Sequence, residues 1–139
     1  MNQGNQDIRW QQRYINFKKA FDQLKRFLDV KSLNEMEKQG LIKAFEYTYE
    51  LAWKTLNDLL KDKGYENIIG PKPTIQQGFQ DGYLADGKAW MQMHKSRNLT
   101  SHTYDESTAE DIIEKIRREY FSLFEDLKMH FDKEITKQE

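Results

Sequence analysis

The chain has no cysteine, which excludes disulfides, thiolate metal sites and a cysteine nucleophile. Proline occurs only 2 times and glycine 7 times in 139 residues, so long stretches are free of the residues that interrupt helices. No apolar run approaches the roughly 20 residues that a bilayer-spanning helix requires. The opening residues MNQGNQDIRW are polar and lack the apolar stretch of a signal peptide. Neither charge sign dominates: 22 Lys and Arg against 23 Asp and Glu leave a formal net charge of −1. No overall basic field therefore pulls the molecule onto nucleic acid, and any such contact has to be local. Together these absences lead us to expect a soluble, cytoplasmic protein with no membrane contact.

What the chain does contain is aromatic bulk. Eight Phe, 7 Tyr and 3 Trp make up 13% of the residues, far too rich for a disordered chain. The length suits one hydrophobic core. We expect a single domain over residues 1–139, with 1–7 and 133–139 as flexible tails. No internal repeat or low-complexity segment is visible.

Apolar spacing then divides the chain into helices. Trp10, Tyr14, Phe17, Phe21, Leu24 and Leu28 recur at intervals of three and four, which predicts a helix from about Ile8 to Leu28. Ser32-Leu33-Asn34-Glu35 has the form of a capping box. It would open a long second helix through Leu41, Phe45, Tyr49, Ala52, Leu56 and Leu60, stopped at Lys63-Gly64. Tyr65 to Pro73 breaks the pattern and predicts a loop. Thr74-Ile75-Gln76-Gln77 predicts the start of a short helix ending near Gly82. Asp86 would cap another, carrying Trp90, Met91 and Met93, and polar residues follow from Lys95 to Glu106. Ser107-Thr108-Ala109-Glu110 would cap a last helix through Ile112, Ile116, Tyr120, Leu127 and Phe131. The expected fold is all-α: an antiparallel up-and-down helical bundle of three long and two short helices.

One segment stands out chemically. Between Gly87 and Tyr104 there is no acidic residue, while Lys88, His94, Lys95, Arg97 and His102 all fall there. A local basic patch thus sits in a near-neutral protein. Arg97 and His102 are five residues apart; on a continuous helix that leaves them about 140° apart. They would converge better if the helix ended between them, and Asn98, Thr100 and Ser101 compete for the backbone hydrogen bonds that would continue it. Arginine grips phosphate bidentately and histidine titrates near neutrality, so the pair suits phosphodiester chemistry. Taken alone the pair says little, because charged residues mostly cover a solvated face.

A wider pattern adds meaning. Arg97-Asn98-Leu99-Thr100-Ser101-His102 resembles the R-x4-6-H motif of the HEPN superfamily. With Thr103-Tyr104 it becomes R-x4-H-x-Y, the form found in HEPN proteins paired with minimal nucleotidyltransferases. Ala44-Phe45-Glu46-Tyr47-Thr48-Tyr49-Glu50-Leu51-Ala52-Trp53-Lys54, and the later Trp90-x-x-Met93, resemble the nucleotidyltransferase substrate-binding protein family. Glu50, Trp53 and Lys54 are further positions within that signature.

The resemblance implies a helical bundle that forms a homodimer or higher oligomer and partners a separately encoded minimal nucleotidyltransferase. Such bundles resemble the helical domain fused to the catalytic domain of kanamycin nucleotidyltransferase. No nucleotidyltransferase signature and no phosphate-cradling Gly-rich loop occurs in this chain. Beside a purely structural scaffold, two functional roles remain open. In one the chain is a substrate-binding or regulatory subunit that offers a nucleotide or RNA surface. In the other it is the toxin half of a toxin–antitoxin pair, a metal-independent RNase. There Arg97 and His102 would be catalytic, Asn98 supporting, and Tyr104 the AMP acceptor whose adenylylation silences the enzyme.

Other residues carry less. His94 and His130 lack ligand spacing, so neither a metal site nor a cofactor is expected. Glu50–Lys54 reads most simply as an i,i+4 helix pair. Asn98-Leu99-Thr100 matches a glycosylation pattern that a cytoplasmic protein would not use.

Overall fold

In the computed structural model, which describes residues 8–138, the apolar stripes wind into six α-helices: α1 (Arg9–Leu28), α2 (Glu35–Asp62), α3 (Pro71–Gln80), α4 (Gly87–Leu99), α5 (Glu106–Lys115) and α6 (Phe121–Gln138). A 3-10 turn (Thr100–His102) follows α4, and a π-helical turn (Ile116–Tyr120) joins α5 to α6 without a break. Counting α5–α6 as one rod, the described residues form three long helices and two short ones with no strand, the all-helical bundle expected. Residues 1–7, expected to be a tail, lie outside the described residues, as does Glu139.

The helix ends follow local chemistry, and several differ from the sequence expectation. The cap of α2 is Asn34, not Ser32: its side chain accepts from the Glu37 N–H at 2.8 Å and Glu37 returns the bond to the Asn34 N–H at 2.9 Å. Thr74 does not open α3. Pro71 stands at the first helical position, where its missing N–H costs nothing. The Thr74 hydroxyl donates back to the Gly70 carbonyl at 2.8 Å and accepts from the Asn57 amide at 2.8 Å, tying α3 to α2. Asp105, not Ser107, caps α5, accepting from the Thr108 N–H at 3.1 Å. Asp86 caps α4 as expected, accepting from the Ala89 N–H at 3.0 Å. The stop at Lys63-Gly64 also stands, with Gly64 at φ +106°, a conformation that favours glycine.

The C-terminal segment 133–138 is helix and not a tail. Glu134 is buried and pairs with Lys63 at 2.9 Å while accepting from the Tyr83 hydroxyl at 3.2 Å. Ile135 packs against the core, and the Gln11 amide donates to Gln138 at 2.8 Å.

One aromatic core joins the rods. Phe124 of α6 lies between Phe17, Phe45 and Trp90, at centroid distances of 6.3, 6.2 and 5.9 Å. It thereby links α1, α2 and α4, and such ring pairs add to the area they bury. The π-helical turn serves this packing: Tyr120 stacks on Phe45 at 5.6 Å, and its hydroxyl meets Ser96 of α4 at 2.6 Å, a buried contact. The extra residue of a π turn re-aims side chains locally, and here it coincides with the link to the helix that carries Arg97.

Candidate functional site

Arg97 sits in the last turn of α4 and points across to α2. Its Nη1 is 3.2 Å from Glu46 Oε2 and its Nε is 3.3 Å from Glu50 Oε2. Glu46 and Glu50 reach it together because residues four apart share a helix face. Nη1 also donates to the Thr100 hydroxyl at 3.1 Å, and that hydroxyl lies 3.0 Å from Glu46 Oε2. The Trp53 indole N–H donates to Glu50 Oε1 at 3.3 Å. Lys43 and Lys54 stand at the rim, each 3.9 Å from Glu46 and Glu50 respectively. The cluster therefore sets three cations against two carboxylates. Its local charge is positive, although the guanidinium itself is already engaged within the protomer.

Beside this clamp lies His94, whose Nδ1 is 2.7 Å from the Tyr49 hydroxyl. Burial, then Lys72 and Arg97, push the imidazole below its ordinary value, with Glu50 acting in the opposite sense. Burial and Glu50 push the Tyr49 phenol up, against the opposing effect of Arg97. At neutral pH the phenol keeps its proton and the imidazole is neutral, and the direction of the bond between them follows the imidazole tautomer. Nε2 then faces the Asn98 amide at 3.5 Å.

His102 and Tyr104 form a separate, exposed pair. The 3-10 turn ends α4 at Leu99, the interruption anticipated between Arg97 and His102. His102 Nδ1 lies 3.2 Å from the Tyr104 hydroxyl, and the Tyr104 side chain is 84% exposed. Thr103 is held to α2 by the Gln39 amide at 3.4 Å. A groove of about 450 Å³ runs alongside, between the start of α2 (Glu35, Met36, Lys38) and Tyr104, Glu106 and Glu110. An imidazole this close to a phenol is placed to take its proton as the oxygen becomes a nucleophile.

Of the residues singled out from the sequence, the structure gathers Arg97, Glu50, Trp53 and Lys54 on one side and His102 with Tyr104 on the other. Among the described residues no hydrogen bond joins Arg97 to His102. Asn98 approaches His94, not His102. Glu50 does more than pair with Lys54, since it holds Arg97 and Trp53 as well. From the sequence, Glu46 and Tyr49 were only positions within the family signature, His94 was one of several basic residues, and Thr100 was a polar residue that ends the helix. The available signal was Glu46 and Glu50 one turn apart, facing a basic segment that has no carboxylate of its own.

Fold and site together define a class: a helical bundle that displays an Arg/His/Tyr segment where its fourth helix ends. The family described as "Nucleotidyltransferase substrate binding protein like" matches residues 12–133. This chain belongs to that family. A crystal structure of a Thermus thermophilus protein has a TM-score of 0.74 at 31% identity, over 80% of this chain and 94% of that one. A Haemophilus influenzae structure, described as revealing the fold of a substrate binding domain of a nucleotidyltransferase, has a TM-score of 0.71 over 81% of this chain and 94% of that one. At 22% identity, its likeness is one of fold alone. A Haemophilus influenzae protein named "Probable ribonuclease HepT" is 31% identical over 74 residues, 50% of this chain and 51% of that protein. The chain thus spans about half the length of that curated relative. Among the described residues, no helix is long and apolar enough to cross a membrane.

Proposed function

We propose that this protein is the substrate-binding and regulatory partner of a separately encoded minimal nucleotidyltransferase, acting as a homodimer. The observation that carries this reading is the family match over residues 12–133, nearly the whole chain. The exposed His102–Tyr104 pair gives the partner something to act on. The Tyr104 oxygen attacks the α-phosphorus of ATP, pyrophosphate leaves, and the phenol proton passes to His102, so that AMP becomes an ester of Tyr104. Co-expression with a short nucleotidyltransferase encoded beside it tests the pairing: the two chains should co-elute, and separate elution refutes it. Intact mass after incubation with that enzyme and ATP should rise by one AMP in wild type and not in Tyr104→Phe.

A second reading is favoured by the likeness to a relative named as a ribonuclease and by the exposure of His102. In it His102 takes the proton of a ribose 2′-hydroxyl as the oxygen closes on phosphorus. The 5′-oxygen leaves with a proton from solvent or a second imidazole. Arg97 stabilises the charge on the phosphoryl oxygens. Because Glu46 and Glu50 hold Arg97 within one protomer, this reading needs a dimer that brings Arg97 of one chain near His102 of the other. AMP on Tyr104 would set a phosphate beside His102 and silence the site. Purified protein should then cleave RNA without added metal, and His102→Ala should abolish the cleavage. Equal activity, or equal inactivity, of the two proteins removes the ribonuclease role.

A further inference from the structure

A second groove lies on the other side of α4 from Arg97. It measures about 610 Å³ and runs between α3 and α4, with Ile75, Phe79 and Met91 as its apolar surface and Gln76, Gln92, Lys88 and Lys95 around it. We propose that this groove is a nucleotide-binding site, taking one base-plus-phosphate unit from either a free nucleoside phosphate or a single-stranded RNA.

Three observations point to that ligand. The first is charge. Lys88 and Lys95 are seven residues apart, about 20° short of two full turns, so they lie along one face of α4 with a rise of about 10.5 Å between them. Neither is held in an ion pair among the described residues. The one carboxylate in the lining, Asp86, is committed to the Ala89 N–H as the helix cap. The groove therefore sets two unpaired lysines against one carboxylate, which leaves its lining net positive.

The second observation is the aromatic wall. Phe79 is 53% exposed although it belongs to a helix with a well-buried inner face. Its ring lies over the first turn of α4 because Gly87 has no side chain: a Cβ there would stand 3.1 Å from Phe79 Cγ. An exposed ring of this kind offers a stacking face that any base can use. The third is the pair of amides, Gln76 and Gln92, which can both donate and accept at a base edge. A plain fatty chain would leave them unanswered.

Arg97 is nine residues from Lys88, about half a turn away around α4. The groove and the Arg97 clamp thus occupy opposite faces of one helix, and this site stands independently of the proposed adenylylation and ribonuclease roles.

Methionine methyl NMR tests it directly. Met91 lines this groove, Met36 lines the groove beside Tyr104, and Met129 is exposed on α6. Protein carrying 13C-methyl methionine is titrated with AMP, with a five-nucleotide single-stranded RNA and with pyrophosphate. The Met91 resonance should move saturably with AMP or RNA while Met36 and Met129 stay in place. Tighter binding of the RNA than of AMP identifies an oligonucleotide as the source; equal affinities identify the free nucleotide. Phe79→Ala and the pair Lys88→Ala/Lys95→Ala should each weaken binding at least about tenfold. For RNA the double lysine variant should also lower the log–log salt slope by about 1.4, at about 0.7 per lost contact. All of these positions are on the surface, so the variants should melt like wild type. The proposal is overturned if no ligand moves Met91 saturably, if Met36 moves in its place, if pyrophosphate binds as tightly as AMP, or if Phe79→Ala binds unchanged. Failure to co-elute with a nucleotidyltransferase would leave this site untouched.

Discussion

Arg97 directs its charge at Glu46 and Glu50, at 3.2 and 3.3 Å, and both carboxylates are partly screened from water. Replacing Arg97 by Ala leaves them four residues apart on one helix face with no guanidinium between them. Like charges at that spacing repel, and partial exposure moderates the loss, so the expected destabilisation is about 1 kcal/mol. Adding Glu46→Gln and Glu50→Gln to Arg97→Ala should recover most of it. A thermal melt of Arg97→Ala that coincides with wild type would mean that the clamp contributes nothing to the fold. His94 makes a prediction of the opposite kind. Burial, Lys72 and Arg97 hold its folded value below the 6.5 of a free imidazole, so below pH 6.5 the unfolded chain binds more protons at this position than the folded one. Stability from this residue is therefore intact above pH 6.5 and declines as pH falls through the folded value. Urea midpoints measured between pH 7.5 and 5 should fall more steeply for wild type than for His94→Gln. Parallel curves would show that His94 does not titrate differently on folding.

At the scale of the helix, periodicity was legible and ends were less so. Every long stripe expected from Trp10 to Phe131 became a buried helix face, since spacings of three and four leave few other ways to hide so many rings. The ends depended on which of several adjacent polar residues took the backbone N–H groups, and spacing alone does not decide that. Ser32 with Glu35 and Asn34 with Glu37 both have the spacing of a capping box, and in the fold the reciprocal pair closes at Asn34 and Glu37. Thr74 had the form of a cap, and Pro71 pre-empted it by starting the helix earlier. Asn34→Ala should therefore cost about 1 kcal/mol, whereas Ser32→Ala should leave the denaturation midpoint in place. The reverse order of effects would return the helix start to Ser32. The candidate site divides in the same way. Arg97 and His102 lay in a basic run that is visible in a neutral chain, and Tyr104 entered through the family motif that this segment resembles. Glu46 and Thr100 did not stand out, because their part depends on how α2 lies against α4. No local pattern records that.

For the molecule as a whole, the question is whether the end bearing Arg97 and Tyr104 can loosen without the core. The contacts argue that it cannot. Arg97 follows Ser96, whose hydroxyl meets Tyr120 at 2.6 Å; Tyr120 stacks on Phe45, and Phe45 packs with Phe124. Phe124 in turn meets Trp90, one of the rings that seat α4. A chain of 139 residues at about 0.05–0.15 kcal/mol per residue has about 7–20 kcal/mol of total stability. Phe124→Ala opens a cavity at the junction of four helices and should cost about 3–5 kcal/mol, a large part of that total. If site and core form one cooperative unit, the loss appears as a single shifted transition. Far-UV circular dichroism reports all the helices, while tryptophan fluorescence reports Trp10, Trp90 and Trp53, the last bonded to Glu50. The two urea curves should coincide in wild type and stay superimposed, at a lower midpoint, in Phe124→Ala. A fluorescence transition running ahead of the circular dichroism would instead mark the α2–α4 clamp as a part that opens on its own, and the chain of contacts from Ser96 to Phe124 would not be what holds Arg97 in place.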